Sequence, residues 1–136
     1  MSGFFGCVSR KECVADVFYG TDYHSHLGTK KAGMAFYNGE DFVRSIHSIE
    51  SAYFRNKFEP ELDRFAGSNL GIGVISDMES QPITVTSHLG RFAVVTVGRI
   101  DNLEEISAQL LKEKIHFAEM SGSAINPTEV VSILIN

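Results

Sequence analysis

The chain has 136 residues, enough for one domain that buries a real core without disulfides or a structural metal. Hydrophobic residues make up 43% and charged residues 21%, a globular composition that excludes disorder and fibrous architectures. The net charge of −5, with no basic patch, argues against nucleic acid as a partner.

The elements follow from patterning. The short apolar run Gly3–Val8 reads as a buried strand. Residues 11–23 carry Val14, Val17, Phe18, Tyr19 and Tyr23 at helical spacing, and residues 25–29 form a turn. A strand over 32–37 ends at Asn38-Gly39, a hairpin signal, and its partner returns over 41–49. Residues 60–65 read as a short helix, opened by Pro60 and stopped by Gly67. The strand over 70–75 contains Gly71 and Gly73, which points to close backbone approach. Ile83, Val85 and Ser87 alternate with Thr84 and Thr86 as in a half-buried strand, Leu89-Gly90 turns the chain, and the apolar run 92–97 predicts a central strand. A helix follows, with Asp101 as its cap, Glu104 completing a capping box, and a buried stripe of Leu103, Ile106, Leu110 and Leu111. Asn126 caps a final helix with Pro127 in its first turn and Glu129 at its third position. Strands followed by helices predict an α+β fold with helices over sheet faces. The apolar run Ile133-Leu134-Ile135-Asn136 has no polar closure after it.

Cys7 and Cys13 are too few for a disulfide framework and read as reduced thiols. No segment approaches the ~20 apolar residues needed to span a bilayer. The N-terminus lacks the basic and apolar regions of a signal peptide, so a cytoplasmic location is expected. Asn126-Pro127-Thr128 carries the proline that forbids glycosylation.

Among chemical motifs, His24 and His26 form an H-x-H pair that no other ligand cluster completes, so neither a metal nor a cofactor is expected. Gly71-Ile72-Gly73 is half of a phosphate loop without its third glycine. Asp77, Glu79 and Asp101 fit solvated turns and a cap better than catalytic carboxylates. The basic and aromatic stretch Phe54-Arg55-Asn56-Lys57-Phe58 is too short to bind nucleic acid. The N-terminus is more informative. Ser2 is small enough for Met1 to be removed, which would leave an α-amine and a hydroxyl on one residue. An α-amine with a pKa near ~8 is partly neutral at pH 7 and can activate its own side chain.

Read together, several segments resemble the class II (N-terminal nucleophile) glutamine amidotransferases, specifically the glutaminase half of amidophosphoribosyltransferases. That family makes phosphoribosylamine from glutamine and phosphoribosyl pyrophosphate, the opening step of purine synthesis. The family's Cys-Gly-Ile-x-Gly start resembles Ser2-Gly3-Phe4-Phe5-Gly6, and its His-Arg-Gly-Gln-Asp-x-Ala-Gly segment resembles His26-Leu27-Gly28-Thr29-Lys30-Lys31-Ala32-Gly33. Its Gly-Ile-Gly-His-x-Arg-Tyr matches Gly71-Ile72-Gly73-Val74-Ile75-Ser76-Asp77, and its later Gln-Pro matches Gln81-Pro82. Its His-Asn-Gly-x-Leu-x-Asn matches Thr96-Val97-Gly98-Arg99-Ile100-Asp101-Asn102, and its Ser-Asp-Ser-Glu matches Asn126-Pro127-Thr128-Glu129. The pieces run in order across almost the whole chain, with a poor match over 39–68.

The resemblance implies a four-layer α-β-β-α fold, with residues 1–136 as an amidotransferase-type domain at the front of a larger protein. It implies glutamine or another amide as substrate and a phosphoribosyltransferase-like domain as the missing partner. The apolar end predicts a partner surface, a homo-oligomer contact or a crystal contact. The resemblance makes Ser2 the nucleophile, Gly98 an oxyanion donor through its backbone, and Gly28 and Ser76 substrate-binding positions.

The departures fall on side chains that would touch glutamine. The nucleophilic cysteine is Ser2, the carboxylate-gripping arginine is Ser76, the oxyanion asparagine is Val97, and the aspartate that reads the amine is Pro127. Losing one oxyanion donor typically costs ~100- to 1,000-fold in rate. The glycines that shape the backbone match. Two outcomes follow: an amidase with a degenerate catalytic set acting through Ser2, or a non-catalytic interaction or regulatory domain.

Overall fold

The computed structural model describes residues 2–27, 30–77, 79–121 and 124–136. Its first sheet has four antiparallel strands: β1 (Gly3–Val8), β2 (Lys31–Tyr37), β3 (Phe42–Ser48) and β4 (Leu70–Ser76), in spatial order β1-β4-β2-β3. β2 is central, and its residues from Ala32 to Phe36 are buried on both faces, which is why it reads as an unbroken apolar run rather than an alternation.

One face of the sheet carries α1 (Val14–His24), which buries Val14, Val17, Phe18 and Thr21 at helical spacing. Tyr19 and Tyr23, expected on that stripe, are exposed. The helix lies close because the facing positions are small. A Cβ on Gly73 would strike Thr21, one on Gly3 would strike the His24 ring, and one on Gly20 would strike Phe5. Gly71 leaves room for the Phe36 ring in the same way. The close approach inferred from the strand glycines is therefore present.

The short helix expected over 60–65 is present as a 3₁₀ segment, Glu59–Phe65, with Pro60 in its first turn, and a five-residue helix, α2 (Phe54–Phe58), runs directly into it. Phe54 and Phe58 stack at 4.6 Å, and Phe18 lies 5.5 Å from Phe54. The basic and aromatic stretch is thus an amphipathic plug for the core, its phenylalanines buried and its cations outward. Each buried phenylalanine is worth about 1.5–3 kcal/mol over leaving it in water. Ser45 of β3 donates to Glu61, whose other oxygen lies 2.9 Å from His47 Nε2. This latch ties the edge strand to the 3₁₀ segment.

The opposite face meets a second layer, the hairpin of β5 (Ile83–Ser87) and β6 (Gly90–Val94). The apolar run expected to be a central strand pairs only with β5 among the described residues, and it leaves the strand at Val94. Its apolar residues Phe92, Ala93 and Val94 are half-buried in a two-stranded layer, not in the centre of a sheet. Outside this hairpin lie α3 (Leu103–Lys112) and α4 (Pro127–Ile135); α4 packs on β5 and α3 on α4. The layers therefore run α1, first sheet, second sheet, α3 and α4.

Asn126 caps α4 as expected, its Oδ1 accepting from the N–H groups of Thr128 and Glu129. Asp101 does not cap α3. Asn102 occupies that position without a side-chain bond, and Asp101 instead pairs with Arg99 at 3.2 Å in solvent. Of the predicted α3 stripe Leu110 is buried, whereas Leu111 is 52% exposed. A short hairpin of β7 (Met120–Ser121) and β8 (Ala124–Ile125) precedes α4. The Glu129 carboxylate fastens the approach to it by accepting from Ala118 N and Glu119 N, both at 2.9 Å. Leu134 and Ile135 are exposed. No helix among the described residues is long and apolar enough to cross a membrane.

Candidate functional site

Strand register brings the chemistry-bearing residues to one end of the sandwich. Gly3 pairs with Ile75, so one further step sets Ser2 opposite Ser76; Lys31 pairs with Ser76 from the other side. Ser2, Ser76 and Lys31 thus form one row across β1, β4 and β2. Side chains alternate between faces, and Gly33, two residues from Lys31, lies against Gln81 and the Pro82 ring. The row therefore belongs to the face turned toward the second sheet.

Ser2 Oγ donates to Asp77 Oδ2 at 3.3 Å. The Ser76 hydroxyl is buried and donates to the Glu79 carbonyl, so it is committed to folding the 77–82 segment. Lys31 Nζ donates to Ser80 Oγ at 3.1 Å, and the Ser80 carbonyl accepts from Asn126 Nδ2 at 2.9 Å. The buried Gln81 side chain clamps Thr96 from both sides, accepting from its N–H at 2.7 Å and donating to its carbonyl at 3.0 Å. Thr96 Oγ1 then meets Thr128 Oγ1 at 2.7 Å. A continuous hydrogen-bonded belt results, joining the ends of both sheets to the start of α4.

Two residues beyond Thr96, Gly98 has a φ of +152° with open space where a Cβ would sit. Among the described residues its N–H has no hydrogen-bond partner. Val97 is 43% exposed and offers no donor. Pro127 sits in the first turn of α4 beside the belt. Gly28 lies outside the described residues, as does Met1.

Of the expected site residues, Ser2 and Ser76 share one row, and Gly98 follows the belt residue Thr96. Asp77, expected as a solvated turn residue, accepts from Ser2. Lys31 and Thr96 lie inside matched segments at positions with no role attached, and Ser80 lies outside them. Their signal is the register itself, visible only once β4 is known to lie between β1 and β2. The His24 ring covers Gly3 and stands edge-on to Tyr23. Among the described residues no three His, Cys, Asp or Glu side chains converge as metal ligands.

Two facing sheets lie between helical layers, the four-layer α-β-β-α arrangement. Two solved structures carry it. The chain superposes on "the allosteric regulatory enzyme of purine biosynthesis" with a TM-score of 0.81 at 22% sequence identity, over 99% of this chain and 29% of that one. It superposes on glutamine phosphoribosylpyrophosphate amidotransferase from B. subtilis, complexed with ADP and GMP, with a TM-score of 0.79 at 22% identity over the same shares. The chain thus spans under a third of the length of either neighbour. No protein-family model and no curated protein sequence matches it.

Proposed function

We propose that this chain is a glutaminase-like amidotransferase domain serving purine nucleotide synthesis in the cytosol, with Ser2 as its nucleophile and a weakened catalytic set. The observation that carries the reading is Ser2 at the start of β1, level with Ser76 and Lys31 on the face turned toward the second layer, its hydroxyl held by Asp77. Once Met1 is removed, the α-amine would take the Oγ proton as the oxygen attacks an amide carbonyl. The tetrahedral oxyanion would find the Gly98 N–H. Collapse would return the proton to the departing ammonia and leave an acyl-Ser2 ester for water to cleave. The amidotransferase neighbours support this reading, and their greater length supports a phosphoribosyltransferase-like partner domain that would consume the ammonia. With no side-chain donor at residue 97 the rate would fall short of an ordinary glutaminase by ~100- to 1,000-fold.

The test is ammonia release from glutamine, with intact mass confirming removal of Met1. Release that Ser2→Ala abolishes supports the proposal; equal release from both proteins rejects it.

A second reading, a non-catalytic regulatory or interaction domain, draws on the donor-less Val97 and the committed Ser76 hydroxyl. Calorimetric titration separates the two, because micromolar glutamine binding would count heavily against a site that has lost its ligand.

A further inference from the structure

We infer that Lys31 is the residue that recognises the anionic end of the ligand held beside Ser2. This rests on the reading that the mouth between the sheets is a ligand site.

Lys31 stands in the same row as Ser2, with only Ser76 of β4 between them. Neighbouring strands lie about 4.8 Å apart, so the Cα atoms of the two residues are roughly 10 Å apart across the mouth. Both side chains leave this row on the face turned toward the second layer, so a ligand of a few carbon atoms seated over Ser76 would meet the Ser2 hydroxyl and the Lys31 ammonium together.

The charge at this place is otherwise unspent. Among the described residues of the sheet, two cationic side chains, Arg44 and Lys31, lie on this face. Arg44 is engaged by Glu119 at 3.0 Å and by the Pro82 carbonyl at 3.1 Å. Lys31 bonds only the neutral Ser80 hydroxyl, and among the described residues no carboxylate pairs with it. A half-buried ammonium with a neutral partner gains most from an incoming anion. Ser80 keeps the ammonium pointed into the belt because the fully buried Asn126 holds the Ser80 carbonyl. Lys31 thus supplies a cation beside Ser76, whose own side chain is neutral and committed elsewhere. The ligand class is a primary amide that also carries a carboxylate.

The experiment compares L-glutamine with 4-aminobutanamide, the same amide without the carboxylate, by calorimetry on the Ser2→Ala protein, where turnover does not interfere. Glutamine is expected to bind about ten- to a hundredfold more tightly, the range of one charge-assisted hydrogen bond. Lys31→Met should abolish that preference and Lys31→Arg should restore most of it, with urea midpoints confirming that each variant is folded. Equal affinities for the two amides, no glutamine binding, or a preference that survives Lys31→Met would each overturn the assignment. The Ser2 chemistry is judged separately. Ser2-dependent hydrolysis that ignores the carboxylate removes the role of Lys31 alone. A Lys31-dependent preference without Ser2-dependent hydrolysis keeps Lys31 and removes the nucleophile.

Discussion

Ser2 and Val97 are the two side chains at which the chemistry of the mouth is weakest, and each can be changed without disturbing the backbone. A thiol ionises far more readily than a hydroxyl, and an asparagine at 97 would place an amide donor next to the Gly98 N–H. Ser2→Cys combined with Val97→Asn is therefore expected to raise the rate of ammonia release from glutamine by about 100-fold or more, measured by a coupled ammonia assay. Cys13 gives a prediction of the opposite kind. Burial, followed by the neighbouring Cys7, pushes its thiol up to about 11. Alkylation at pH 8 should leave Cys13 unmodified in the native protein and label it on unfolding, as peptide mass spectrometry would show. Single residues also explain what was readable beforehand. Gly73 inside a strand announced a close approach, and Thr21 of α1 is what approaches. Gly73→Ala should cost about 1–3 kcal/mol through overpacking, seen as a lower urea midpoint with an unchanged slope. The role of Asp77 was not readable, because nothing local distinguishes a turn carboxylate from one that meets a residue 75 positions away.

Among the elements, those whose boundaries are local chemistry were the legible ones. The α4 start is one residue with two backbone donors on its side chain, and Asn-Pro-Thr-Glu spells it out. Asn126→Ala is expected to cost about 1–2 kcal/mol, and because Asn126 also holds Ser80 it should weaken ligand binding as well. A loss of stability with unchanged affinity would show that the cap and the belt are independent. The α3 start misled because Asp101 has an alternative partner in Arg99. The α2 plug was hidden because five residues are too few for a periodicity to develop. The latch between β3 and the 3₁₀ segment responds to pH. Burial opposes ionisation of Glu61, but hydrogen bonds from Ser45 and His47 and the charges of His47 and Arg64 outweigh it and lower its pKa. A lowered folded pKa means stability that is complete above the ordinary glutamate value, ~4.3, and lost as pH falls through the folded value. Glu61→Gln should therefore destabilise the protein at pH 7 and much less near pH 3, by urea midpoints at the two values.

At the level of the whole molecule, the layer order was legible from the resemblance and from the sequence of strands and helices, and two solved structures at TM-scores of 0.81 and 0.79 carry the same arrangement. What could not be read was the second layer. The run after Gly90 reads like a central strand because a layer lying between another sheet and helices is apolar on both faces even at its edge. The site is similar: its belt draws on Lys31, Gln81, Thr96 and Asn126, and only the folded pairing brings them level with Ser2. One contact governs how that collection is held open. At Gly33 the main chain of the first sheet touches the Gln81 carbonyl of the second layer, with no side chain between. A single methyl there would act as a wedge two residues from Lys31, levering the layers apart at the very end where Ser2 stands. The spacing of the two layers at that end is set by the absence of one carbon atom.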